Sequence, residues 1–96
     1  MLFAERIKLL REEKRLLQRQ LAAILEIDTP MYSKIERGDR RAKREQIPII
    51  AEILQTDEKE LLSLWLADQV TEVVENDKEM SETVLNIAKQ NINKTK

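Results

Sequence analysis

The chain of 96 residues contains no cysteine and no histidine. Disulfide bonds, thiol nucleophiles and imidazole general bases are therefore excluded, as are the usual transition-metal sites, which draw their ligands from these residues. Paired carboxylates such as Glu12–Glu13 and Glu58–Glu60 remain, but they fall on amphipathic helices without converging ligands. The sequence predicts a protein that is not an enzyme and holds no metal and no cofactor.

Glycine, proline and aromatic residues are also scarce. The chain has one Gly, two Pro and three aromatic residues, Phe3, Tyr32 and Trp65. Runs of Val, Ile and Thr that alternate with polar residues are missing, so no β-strand is expected. Because 42% of the residues are hydrophobic, the length suffices for one domain with a modest core. The predicted fold class is all-α.

Long apolar runs are missing as well. No stretch approaches the ~20 apolar residues that a membrane-spanning helix needs. The first ten residues, MLFAERIKLL, carry charges too early and too often for a signal peptide. We therefore expect no membrane partner.

The net charge of −1 conceals an uneven distribution. Residues 1–44 hold 12 Lys/Arg against 7 Asp/Glu, whereas residues 45–96 hold 5 against 11. A basic half joined to an acidic half is typical of a small nucleic-acid-binding protein with an interaction tail. Solvated helix faces would produce the same counts and are the plainer explanation.

The spacing of apolar residues predicts six helices, over residues 3–14, 18–25, 29–37, 44–55, 58–75 and 78–92. Pro30 suits the first position of the third helix, which favours Thr29 as its N-cap over Asp28. Pro48 predicts an irregular or later start of the fourth helix. Asp57 and Glu60 are spaced as a capping box for the fifth.

The stretch from Gln18 to Gly38 is the organising centre of the chain. Its apolar positions fit two short helices joined by a tight turn, with the small Ala22 where the helices would cross. The second helix then presents a polar and partly cationic face, and such a face fits a DNA major groove about 12 Å wide. The members of this face are Thr29, Ser33, Lys34 and Arg37.

Four segments of the chain together resemble the phage-repressor-like (lambda repressor/Cro) helix-turn-helix family of transcriptional regulators. They are FAERIKLLREEK, QRQLAAIL, YSKIERG and IIAEILQTDEKELL. The resemblance covers residues 3–66 and departs from the family pattern at Leu17, where a Ser or Thr usually caps the helix, and at Glu26, where the turn usually has Gly. It implies a cytoplasmic, five-helix DNA-binding domain over residues 1–66, followed by a C-terminal helical extension over residues 67–96.

The resemblance also implies roles for individual residues. Gln18 takes the place of a glutamine that bonds a DNA phosphate and braces the recognition helix. Thr29, Pro30 and Lys34 occupy positions that reach base edges, and Arg11 and Glu36 match a partly buried ion pair. Tyr32 occupies a core position. The predicted DNA-binding residues are Gln18, Thr29, Pro30, Met31, Ser33, Lys34, Arg37, Arg40, Arg41 and Lys43, the last three lying in a basic loop that we define as residues 39–43.

The fifth helix is apolar on more sides than one domain can cover. Leu61, Leu62 and Leu66 are expected to face its own core. The remaining apolar residues predict a homodimer interface, although the last helix could instead fold back on its own domain. The predicted interface comprises Leu64, Trp65, Val70, Val73, Val84 and Ile87.

These features predict a sequence-specific transcriptional regulator that binds double-stranded DNA as a homodimer on a palindromic operator. A small repressor-like domain with a short tail also resembles the controller proteins of restriction–modification systems. The alternative is an antitoxin-type interaction module, whose acidic C-terminal half binds and masks a second protein.

Overall fold

The computed structural model describes residues 1–94, and this range contains helices and no β-strand. The all-α prediction is therefore confirmed, with five helices forming a domain and a sixth extending it. The helices are α1 Leu2–Glu13, α2 Gln18–Leu25, α3 Thr29–Glu36, α4 Gln46–Leu54, α5 Glu58–Val74 and α6 Ser81–Lys94, with a 3₁₀ turn at Lys78–Met80 before α6.

Two helix starts differ from the sequence prediction. Asp28, and not Thr29, is the N-cap of α3, since its Oδ1 accepts the Met31 N–H at 2.7 Å. Asp57 caps α5 by accepting the Lys59 N–H at 3.3 Å. The predicted capping box is nevertheless incomplete, because the Glu60 carboxylate accepts a bond from Arg6 Nε at 3.1 Å.

Two other helix starts match what the sequence implied. α4 begins at Gln46, which places Pro48 in the first turn, where backbone N–H groups have no partner within the helix. α2 has no side-chain cap at Leu17. The backbone N–H of Leu17 instead donates to Gln20 Oε1 at 2.7 Å, which satisfies one of the free donors at this end.

Left-handed residues end several of the helices. Glu26, in the turn between α2 and α3, has φ 59°, and Gly38, just after α3, has φ 78°. For a non-glycine residue this conformation costs about 1–2 kcal/mol. At position 38 a Cβ would also lie 2.9 Å from Met1 Cγ. Glycine is therefore favoured at position 38, since another residue would carry the backbone cost that Glu26 carries and would displace the Met1 side chain.

The hydrophobic core is built from buried side chains of all five helices of the domain, from Phe3 to Leu61. Tyr32 is fully buried in it, as its predicted core position requires. On α5, Leu61 is buried while Leu64 and Trp65 pack against the core. Leu66 is 41% exposed. The prediction that Leu66 faces the core was wrong, because residues 61, 64 and 65 follow the helical repeat and residue 66 lies on another face.

Asp68 joins the two ends of the domain. Its carboxylate is buried and accepts the backbone N–H groups of Leu2 at 2.9 Å and Phe3 at 3.0 Å. α1 has no side-chain cap of its own at Met1, so α5 supplies the cap from 66 residues away. The boundary expected at residue 66 would place Asp68 outside the domain whose first helix it caps.

The last helix lies outside the core. No residue of α6 is buried, and Leu85, Ile87 and Ile92 on it are exposed. Within residues 1–94, no helix is both long and apolar enough to cross a membrane.

Candidate nucleic-acid interface

The helix-turn-helix is formed by α2 and α3, which pack through buried side chains on both helices. Leu21, Ala22 and Leu25 of α2 are buried against Tyr32 and Ile35 of α3. Close packing on this side fixes which side of α3 faces solvent. The sequence prediction of the motif and of its buried positions is confirmed.

The outer face of α3 carries the predicted base-contacting residues. Thr29, Pro30, Lys34 and Arg37 are exposed, while Met31 and Ser33 are half-buried. Positions 29, 30, 33, 34 and 37 share one face of a helix by the 3.6-residue repeat. The structure therefore brings the predicted recognition residues together.

Arg37 at the end of α3 is engaged within its own chain. Its Nη1 donates to Ser33 Oγ and its Nε to Asp39 Oδ2, both at 3.1 Å. Because both side chains of the ion pair are well exposed, the pair is weak and a phosphate can displace it.

A buried polar cluster lies behind the recognition helix. Arg11 donates two hydrogen bonds to the Glu36 carboxylate, from Nε to Oε2 at 2.6 Å and from Nη2 to Oε1 at 3.0 Å. Arg11 also donates to the Leu16 carbonyl at 2.8 Å. The ion pair implied by the resemblance is present, and it ties α1 to the end of α3.

Gln18 belongs to this cluster. Its Nε2 donates to Glu36 Oε1 at 3.1 Å, and its side chain is half-buried. This contact braces the recognition helix, one of the two roles implied for Gln18.

The cluster shifts the pKa values of its members. Burial would raise the pKa of Glu36, but the bonds from Arg11 and Gln18 and the nearby Tyr32 hydroxyl outweigh burial and hold that pKa below its usual value. The bond to Glu36 likewise raises the pKa of Arg11. Both groups are therefore charged at neutral pH, and their charges are satisfied within the cluster.

Tyr32 is the incompletely satisfied member of the cluster. Burial first, and then the neighbouring Glu36, raise the pKa of its hydroxyl. Among the described residues, however, Tyr32 Oη has no hydrogen bond of good geometry. Glu36 therefore acts on Tyr32 through its proximity and negative charge.

The basic loop leaves α3 in a fixed conformation. The backbone N–H groups of Asp39 and Arg40 donate to the Lys34 carbonyl at 2.9 and 3.3 Å. Ala42 is buried, and its carbonyl accepts Trp65 Nε1 at 2.8 Å. The cationic residues Arg40, Arg41 and Lys43 remain exposed beside the recognition helix.

The structure divides the six residues predicted for a dimer interface into two groups. Leu64 and Trp65 are half-buried and pack against their own core. Val70, Val73 and Ile87 are exposed, and Val84 is half-buried. Trp65 and Leu64 therefore support the domain, and four residues remain as candidates for contact with a second copy.

Two contacting residues were missed in the sequence prediction. Asp68 lies seven residues after Leu61, on the inward stripe of α5, and a carboxylate in that position signals a buried acceptor. Glu72 reaches Arg41 of the basic loop, a contact that helical spacing does not reveal. In the described range, no three carboxylates come together in a way that could hold a metal ion.

A family model for the helix-turn-helix domain matches residues 2–64, which span α1 to the first part of α5. Neither the search of curated proteins nor the search of solved structures finds a significant match. The matched segment includes both helices of the motif, the buried Arg11–Glu36 pair and the basic loop, and it covers well over half of the chain. The chain belongs to the helix-turn-helix domain family.

Proposed function

We propose that the protein is a transcriptional regulator that binds DNA sequence-specifically, as a homodimer on a roughly palindromic operator. The observation that carries the proposal is the outer face of α3, where Thr29, Pro30, Lys34 and Arg37 are exposed together on a helix fixed from behind. In helix-turn-helix proteins the second helix lies in the major groove and contacts base edges with such residues.

The proposed contacts fall into two classes. Lys34 suits guanine O6 and N7, and Thr29 can bond to a base edge or touch a thymine methyl group. Pro30 has no donor and contributes shape only. Gln18, Arg37 and the three cations of the basic loop suit phosphates, and such contacts fix position without reading sequence.

Dimerisation is supported by apolar surface that one protomer leaves uncovered. Val70, Val73 and Ile87 are 47%, 77% and 61% exposed, and Met80 is 53% exposed. Burial of one large apolar side chain contributes about 1.5–3 kcal/mol. Several such side chains at a two-fold interface offset an association cost estimated at about 4–15 kcal/mol. A two-fold dimer would match the palindromic symmetry of its operator.

Three more specific statements belong to the proposed function. We propose that the protein acts in the cytoplasm, has no catalytic activity, and controls restriction–modification genes, the last point resting on its resemblance to controller proteins. The antitoxin alternative rests on the acidic C-terminal half alone. Co-purification with a second protein would favour that alternative.

Binding of two single-alanine variants tests the proposed docking of α3. An operator is first selected from random duplexes with the wild-type protein. Lys34→Ala should lower the preference for that operator over other DNA, because one base-contacting side chain is lost. Arg40→Ala should weaken binding to all sequences alike and lower the salt slope by about one.

Lys89→Ala removes the same charge from α6 and is the matched control, since Lys89 is exposed and distant in sequence from the motif. It should leave the ratio of operator to non-operator affinity at the wild-type value. An unchanged ratio for Lys34→Ala would mean that α3 does not read the groove through this face.

A further inference from the structure

α5 continues beyond the core and reaches the basic loop with a carboxylate. Glu72 Oε2 accepts a bond from Arg41 Nη2, in an ion pair between two half-exposed side chains. Glu72 lies on the turn of α5 that follows Asp68, past the last residue matched to the family model. The contact thus joins a residue outside the matched domain to a candidate phosphate contact within it.

The loop beside Glu72 is held at its backbone. Ala42 follows Arg41, and its carbonyl accepts a bond from Trp65 Nε1. Arg40 precedes Arg41, and its N–H donates to the Lys34 carbonyl. Both flanking residues are therefore fixed. Because Arg41 is attached to a fixed backbone next to α5, its guanidinium stays within reach of Glu72.

The other two cations of the basic loop differ from Arg41. In the described part of the chain, neither Arg40 nor Lys43 forms an ion pair. Both can neutralise a DNA phosphate at once, whereas Arg41 must first leave Glu72. An exposed ion pair is weak enough for a phosphate to displace, so the contact lowers affinity without abolishing it.

We propose that Glu72 competes with DNA phosphates for Arg41, so that the C-terminal part of α5 sets the affinity of the basic loop for DNA of any sequence. The proposal rests on the proposed DNA-binding function. Phosphate contacts carry no base information. Glu72 therefore limits sequence-independent binding and leaves base preference to α3.

The test compares Glu72→Gln with Glu75→Gln in the full chain. Both remove one negative charge from neighbouring exposed positions, but only Glu72 is paired with Arg41. Each variant is titrated onto a fluorescently labelled random-sequence duplex and onto the selected operator over a range of salt concentrations. Thermal unfolding first establishes that both variants are folded.

Glu72→Gln should bind both duplexes about two- to five-fold more tightly at low salt. Its affinity should fall more steeply with salt, by up to about one unit in the slope of log K against log[salt], because Arg41 then neutralises a phosphate in every complex instead of only in those where it has left Glu72. The ratio of operator to random-sequence affinity should not change. Glu75→Gln should leave the salt slope at the wild-type value.

A double-mutant cycle assigns the effect to the ion pair. In an Arg41→Gln background, Glu72→Gln should have no further effect on affinity or slope. Equal gains for Glu72→Gln and Glu75→Gln would reveal a general charge effect and overturn the inference. Wild-type affinity and slope for Glu72→Gln would overturn it too, while the DNA-binding function would stand. If the wild-type chain bound neither duplex, both proposals would fall.

Discussion

The helices of the domain α1–α5 and the last helix α6 are all amphipathic, but their apolar residues differ completely in burial. Phe3 and Leu61 mark the ends of a continuous buried core, whereas α6 has no buried residue at all. Apolar periodicity therefore predicts that a helix forms, but it does not say which surface covers its apolar side. The domain supplies that surface internally, whereas the apolar side of α6 stays exposed in the protomer.

The polar contacts follow the same division. The Arg11 and Glu36 side chains are 12% and 1% exposed, whereas Arg41 and Glu72 are 42% and 43% exposed. Loss of one partner leaves a buried charge in the first pair and a solvated one in the second. Stability should therefore respond strongly to changes inside the domain and weakly to changes toward the C-terminus.

The largest effect is expected at the buried pair. Arg11→Met strands the Glu36 carboxylate, and breaking a buried pair in this way costs about 3–5 kcal/mol of unfolding free energy. The double change Arg11→Met, Glu36→Leu should recover much of that loss, since it leaves no unpaired charge. Denaturant unfolding of the three proteins measures both effects, and equal midpoints for wild type and Arg11→Met would contradict them.

The same pair predicts a dependence on pH. The pKa of Glu36 lies below its unfolded value of 4.5. Its contribution to stability is therefore complete above pH 4.5 and is lost as the pH falls through the lower, folded pKa. The double variant lacks this contribution. Its stability should fall less steeply than that of wild type below pH 4.5.

An intermediate effect is expected where α5 meets α1. Asp68→Ala leaves the N–H groups of Leu2 and Phe3 without their acceptor, at a cost of about 1–2 kcal/mol. Asp77→Ala makes the same change before α6, where no side-chain cap exists, and should stay within about 0.5 kcal/mol of wild type. A similar loss in both variants would show that Asp68 contributes no cap.

The smallest effect on the domain is expected when α6 is removed. A chain ending at Glu75 keeps every buried residue and the Arg41–Glu72 pair. At protein concentrations low enough for monomers, its unfolding free energy should match that of the full chain within about 0.5 kcal/mol. At tens of micromolar it should sediment as a monomer, whereas the full chain should sediment as a dimer. A full chain that sediments as a monomer would refute the dimer.

Local features of the fold could be predicted from sequence because they depend on nearby residues. The bounds of α2 follow from the spacing of its apolar residues. The start of α4 at Gln46 follows from Pro48, which is tolerated only in the first turn, and the left-handed turn after α3 follows from Gly38. The recognition face of α3 could be predicted for the same reason. Once Tyr32 and Ile35 are inside, the helical repeat fixes what faces solvent.

Features that depend on distant residues could not be predicted in this way. Glu60 was expected to cap its own helix, but Arg6 competes for it from 54 residues away. The bond from Trp65 to the Ala42 carbonyl could not be predicted either, because its acceptor is a backbone atom that no side-chain pattern reveals. Pro30 favours Thr29 as the N-cap of α3, one residue later than the observed cap Asp28, and helix ends are not predictable to a single residue.

The cap that Asp68 places on α1 also orders events during synthesis. The ribosome makes α1 first, but its first turn lacks an acceptor until the chain has grown 66 residues beyond Leu2. The contacts between α2 and α3 are local in sequence, although α3 also packs on α1 and α2 on α4. The cap on α1 can therefore form only after α5 has been made. Until α5 emerges, the N–H groups of Leu2 and Phe3 can bond only to water, and the first turn of α1 is free to fray.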